Sequence, residues 1–187
     1  MQLRFGSLLL VFLLAACATA PTALIPVAPA TQEAPPPIEE QLAQLKSRLF
    51  VLVVEERGRL IAASKPLTLD AGLAAAAQAH SDDMAKNRSF DAMTEGANTG
   101  INALIADPKF SGFVGENSAA QYFTPSLGFD PDRMARGFLD IWLASPGHRT
   151  NLADPKFQRT GIGVAANGNA IYTAAIFAAD LDPPATP

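Results

Sequence analysis

The sequence of 187 residues has a single cysteine, Cys17, and two histidines, His80 and His148. One cysteine cannot form a disulfide within the chain, so any zinc site would have to draw on His, Asp or Glu. Two histidines exclude a three-histidine zinc centre. Neither His-Glu-x-x-His nor Gly-x-Ser-x-Gly occurs, which removes the helical zinc-protease motif and the nucleophile elbow. Charged residues make up only 17%, the net charge is −4, and no run of Lys or Arg is present. That balance argues against nucleic acid as a partner. No repeat recurs at solenoid periods. Apolar residues, at 49%, are enough for a packed core and exclude wholesale disorder.

The lone cysteine has a context. "MQLRFGSLLLVFLLAAC" places Arg4 before an apolar run from Leu8 to Ala16. The run falls short of the roughly 20 residues of a spanning helix and reads as a signal peptide. Leu14-Ala15-Ala16-Cys17 resembles the lipobox of bacterial lipoproteins, which implies lipidation of Cys17 and a membrane held through that lipid. Ala18 in place of Asp implies, by the same resemblance, the outer membrane of a two-membrane envelope. Ordinary secretory cleavage at Ala18-Thr19-Ala20 is the alternative. The expected organisation is a signal peptide over 1–16, a Pro/Ala-rich tether over 17–37, a folded domain over 38–181 and a disordered tail over 182–187. The tether composition favours extended, polyproline-like chain.

Within the domain, Ile38, Leu42, Leu45, Leu49 and Leu52 recur at helical spacing and predict a helix from Ile38 to about Glu56. Asp70 is placed to cap a second helix, with Leu73, Ala77, His80 and Met84 on one face. Residues from Arg88 to Phe129 read as a long irregular stretch. Asp130-Pro131 opens a third helix, with Met134, Phe138, Ile141 and Trp142 as its apolar stripe. "GIGVAANGNAIYTAAIF" alternates, turns at Asn167-Gly168 and resumes, the pattern of a hairpin. Helices ahead of a C-terminal β-hairpin predict an α+β layered domain. Gly161 and Gly163 point to another backbone segment approaching this strand closely.

Three segments carry a resemblance: "LDAGLAAAAQAHSDDMAKN", then "GEN" at Gly115-Glu116-Asn117, then "WLASPGHRTNLADPKFQRTGIGV". Together they resemble the CAP superfamily of cysteine-rich secretory, antigen 5 and pathogenesis-related 1 proteins (the SCP domain), in its cysteine-free bacterial branch. The resemblance covers about residues 40–178 and implies an α-β-α sandwich. It also implies a shallow cleft of two histidines and two glutamates that binds a divalent metal in some members. Glu116 matches one glutamate and His148 one histidine. The other two positions depart: the first family histidine falls on Asp91, and the second glutamate falls near Ser145.

Each of these residues has a functional and a structural reading. His148 is a metal ligand or acid/base partner of Glu116, or else a helix-terminal residue bonded to the last carbonyls of the third helix. Glu116 is a ligand or base, or else an acceptor of backbone N–H groups that orders a loop. Asp91, Glu116 and His148 would make an O,O,N site for Zn²⁺ or a harder cation, able to activate water; the alternative places Asp91 as a solvated turn residue. His80, on an apolar face, reads as a packed, hydrogen-bonded core histidine. Ser118 and Ser145 lack an identifiable His/Asp pair. Trp142 reads as core, and Arg149 as a loop clamp or a contact for an anionic ligand.

The expected function is that of an envelope-anchored CAP-domain lipoprotein acting as a non-enzymatic binding or docking module. The resemblance implies lipid, glycan, peptide or protein as its ligand class. A metal-assisted hydrolase using Glu116, His148 and Asp91 is the alternative, and a structural spacer the second. An exposed apolar patch away from the cleft would favour the spacer, with the domain as a docking surface at the end of the tether.

Overall fold

The computed structural model describes residues 34–62, 65–89, 99–107 and 110–180. The expected signal peptide with Cys17, most of the expected tether, Asp91 and the expected tail lie outside the described residues.

Helix α1 spans Ile38–Leu60. Leu45, Leu49 and Leu52 are buried, as their spacing requires, while Ile38 and Leu42 are half-buried. The helix continues a turn beyond the expected end at Glu56 because Arg57 is drawn into the fold. Its guanidinium donates to the carbonyls of Leu152 (3.0 Å) and Phe157 (2.7 Å). A two-residue strand β1, Thr68–Leu69, leads into α2, Ala71–Asn87. Asp70 caps α2 by accepting from the Leu73 N–H at 2.9 Å, a bond whose loss costs about 1 kcal/mol in such helices.

The stretch from Arg88 to Phe129 is not irregular throughout. It contains α3, Thr99–Ala106, and an eleven-residue strand β2, Gly112–Tyr122. Next come α4, Pro131–Ala144, and α5, Pro146–Ala153. Asp130 caps α4 with Pro131 in its first turn, as expected. In α4 the buried stripe is Met134, Ala135, Phe138, Leu139 and Trp142. Ile141 does not belong to it: its position falls on the flank beyond Met134, and it is 39% exposed.

Strands β3, Arg159–Asn167, and β4, Ala170–Asp180, form the C-terminal hairpin. Asn167 still pairs with Ala170, so the turn residues are Gly168 and Asn169 rather than Asn167 and Gly168. Gly168 has φ +63°, the conformation that the first central position of a type II′ turn demands. Asn167 instead donates to the Ala85 carbonyl at 2.7 Å and fastens the hairpin to the end of α2.

The sheet order is β1-β3-β4-β2, with β1 parallel to β3 and the other pairs antiparallel. Along β4, Ile171, Ala175, Phe177 and Ala179 join the core beneath α1, α4 and α5. The intervening Ala170, Tyr172, Ala174, Ile176 and Ala178 join the core beneath α2 and α3. Helices thus cover both faces of the sheet, giving an α-β-α sandwich. The close approach inferred at Gly161 and Gly163 is that of α2. A Cβ at Gly161 would lie 2.1 Å from the Ala74 nitrogen, and one at Gly163 would lie 2.0 Å from the Ala77 oxygen. Among the described residues no helix is long and apolar enough to cross a membrane.

Candidate functional site

β2 is an edge strand, and its alternation sends neighbouring side chains to opposite layers. Asn117 and Ala119 face α4 and α5, while Glu116 faces α2. There the Glu116 Oε1 lies 2.8 Å from Nε2 of His80, whose side chain is only 1% exposed. The core histidine of the sequence reading is indeed packed, but its partner is the candidate carboxylate. Sequence reasoning left His80 outside the site. Its signal was present: an imidazole on an otherwise apolar helix face needs a polar group from whatever packs against it.

The other layer is joined by amides. The Asn117 side-chain amide donates to the His148 carbonyl at 2.9 Å. The Asn151 amide group stands 2.9 Å from both the Glu116 carbonyl and the Asn117 Oδ1. Two asparagines therefore bolt α5 onto the exposed edge of β2. Gly115 leaves room for this clamp, since a Cβ there would lie 2.8 Å from the Phe157 ring and 2.9 Å from the Asn151 Oδ1. Gly-Glu-Asn and His-Arg-x-Asn are thus halves of one packing device as well as a source of polar groups.

His148 does not end the third helix. Ser145 closes α4 and opens α5, so His148 stands in the first turn of α5. Loss of water lowers its pKa below the ordinary imidazole value, and the nearby Glu116 carboxylate opposes that shift. The helix N-terminus also disfavours a cation there. Its Nδ1 is buried with no hydrogen-bond partner among the described residues. The helix-dipole benefit of a C-terminal histidine therefore does not apply.

Glu116 is close enough to His148 for its charge to be felt there and also contacts His80 at 2.8 Å. Among the described residues, however, no three His, Cys, Asp or Glu side chains are placed to share one metal ion. The described residues therefore do not by themselves fit a metal, and Asp91, the third proposed ligand, lies outside them. Ser118 is buried in β2, and Ser145 is the junction of the two helices; no bond joins either hydroxyl to a histidine among the described residues. Trp142 is fully buried, as expected of core. Arg149 is exposed and makes no ion pair among the described residues, so the loop-clamp reading finds no partner there.

The sandwich, the Gly-Glu-Asn edge strand and the His-Arg-x-Asn helix together define an SCP-type domain. The chain belongs to the cysteine-rich secretory protein (CAP) family, whose sequence profile matches residues 58–179. Solved structures share the fold. An outer surface protein of Borrelia burgdorferi superposes with TM-score 0.57 at 19% identity, covering 74% of this chain and 94% of that one. An extracellular SCP-domain protein of Bacillus anthracis gives TM-score 0.57 at 26% identity, over 76% of this chain and 43% of that one. A cysteine-rich secretory protein of Staphylococcus aureus gives 0.51 at 21% identity, over 77% and 41%. This chain spans less than half the length of the latter two. No curated protein sequence matches it.

Proposed function

We propose that this protein is an envelope-anchored CAP domain that binds or docks rather than catalyses, held to a membrane through lipid on Cys17. The observation that carries the non-catalytic part is the contact between Glu116 and the fully buried His80. A carboxylate committed to a core imidazole holds two layers of the sandwich together and is poorly placed to take a proton from a substrate. The lipobox-like Leu14-Ala15-Ala16-Cys17 supports the anchor, and similarity to outer surface and extracellular proteins supports an envelope location. The outer membrane remains the proposed site of anchoring, with residues 17–37 as tether, 38–181 as the working domain and 182–187 as a tail. The ligand classes are lipid, glycan, peptide or protein. One observation favours the alternative of a metal-assisted hydrolase: His148, which feels the Glu116 charge, carries a buried Nδ1 with no hydrogen-bond partner among the described residues, and Asp91 would complete its ligand set.

Calorimetric titration with Zn²⁺ tests the choice, on the wild type beside the Glu116→Ala and His148→Ala variants. The proposal expects no saturable binding in any of them. Saturable binding in the wild type, lost in both folded variants, would make the metal enzyme the better account.

A further inference from the structure

The two most exposed large apolar side chains among the described residues are Tyr122, at 74%, and Leu127, at 69%. They share one groove of about 370 Å³, whose wall includes Phe123, Phe129 and Arg133. The loop beneath it is ordered by its own bonds. Thr124 bridges to Gly128, the Leu127 N–H donates to the Thr124 carbonyl at 2.9 Å, and the rings of Phe123 and Phe129 meet edge-on at 5.4 Å. Exposure here is a fixed feature of the surface.

The same loop receives the root of the tether. Gln41, buried in the first turns of α1, donates to the Pro36 carbonyl and accepts from the Phe129 N–H at 2.8 Å. Pro35 lies over Gly128, where a Cβ would come within 2.8 Å of the proline ring. The chain leading into α1 is therefore fastened beside the two most exposed large apolar side chains among the described residues. Sixteen residues separate Cys17 from Ala34, which limits the reach to about 60 Å even at full extension.

We infer that this end of the domain is a membrane-facing surface on which Tyr122 and Leu127 enter the interfacial layer of the bilayer that holds the lipid anchor. The inference rests on the anchored reading of Cys17. Tyrosine and leucine suit an interface that is apolar on one side and wet on the other, and Arg133 can keep its charge at headgroup level. Two side chains are too little to hold a free protein on a bilayer. A tether this short makes the contact intramolecular, so a weak surface is sufficient. Asp130 lines the groove with Arg133, and Asp132 is paired with Arg48 at 2.7 Å, so the patch has no net positive charge and the contact does not require anionic lipid.

The test uses the full chain, acylated at Cys17 and reconstituted into phosphatidylcholine vesicles with brominated acyl chains. Tyr122→Trp and Leu127→Trp place reporters on the groove. Phe113→Trp is the control: Phe113 is 59% exposed and stands nine residues along β2, about 30 Å away. The buried Trp142 is common to all three. The inference expects bromolipid to quench the first two reporters and to leave the third as it is in unbrominated vesicles. Equal quenching at all three positions, or none in acylated protein that floats with the vesicles, would overturn it. Absence of acyl chains on Cys17 by mass spectrometry is a separate result; it would overturn the anchored reading and the inference with it.

Discussion

At the first turn of α5, His148 has lost water, and its buried Nδ1 has no hydrogen-bond partner among the described residues. Its pKa is lowered by burial despite the pull of Glu116, so the unfolded chain binds a proton at higher pH than the folded one does. The associated stability is complete above the ordinary imidazole value of about 6.5 and is lost as pH falls from there toward the lower folded value. Urea unfolding between pH 7.5 and 5 should show the midpoint falling with pH, and His148→Gln should flatten that fall. An identical slope in the variant would mean that His148 is solvated in the folded protein. Asp70 shows the opposite residue-scale logic. Its pKa is lowered by the Leu73 N–H, with further help from Arg159, and burial works against the shift. Its stabilising effect is thus present above the ordinary aspartate range and disappears in acid. Asp70→Ala should cost on the order of 1 kcal/mol at neutral pH and less in acid, measured by denaturant unfolding at both.

The elements differ in how openly the sequence declared them. Caps and turns were legible because their chemistry is local: Asp70 ahead of α2, Asp130-Pro131 ahead of α4, and a glycine at the hairpin. Gly161 and Gly163 were legible for the same reason, since only a missing side chain allows α2 to lie so close to β3. Gly163→Ala should force that helix outward and cost about 1–3 kcal/mol, as overpacking does; thermal unfolding checks it, and a neutral result would mean that α2 shifts freely. β2 was hidden because "GENSAAQ" has no β-branched residue and takes its conformation from pairing with β4 along its whole length. α5 was overlooked although Ser145-Pro146 repeats the cap-then-proline signature that revealed α4. The asparagine clamp was illegible for a different reason, because no local pattern announces a bond between residues 34 apart. Asn151→Ala leaves the Glu116 carbonyl and the Asn117 amide oxygen without their donor. It should cost about 1–3 kcal/mol and speed hydrogen exchange in α5 ahead of β3 and β4. Exchange that accelerates equally everywhere would contradict a local clamp.

At the scale of the whole molecule, the α-β-α sandwich places three polar groups of the family motif at one sheet edge and uses them first as joints. Glu116 reaches through the α2 layer to His80, while its own carbonyl is held from the α5 layer. An enzyme needs such groups free to meet a substrate, but a binding or docking domain needs only that they fix a shape. The groove beside the start of α1 lies elsewhere and carries the two most exposed large apolar side chains among the described residues, Tyr122 and Leu127. The sequence made the fold recognisable because its motifs are packing devices. It did not reveal the His80–Glu116 contact, because that depends on the register of β2 against β4 and on the depth at which α2 sits. The most direct measurement of the central claim is a double-mutant cycle on His80→Gln and Glu116→Gln, read by urea unfolding with and without a chelator. The account predicts a coupling of about 1 kcal/mol or more, as for side chains in direct contact, unchanged by removal of metal. Coupling near zero, or coupling that appears only when zinc is present, would contradict it.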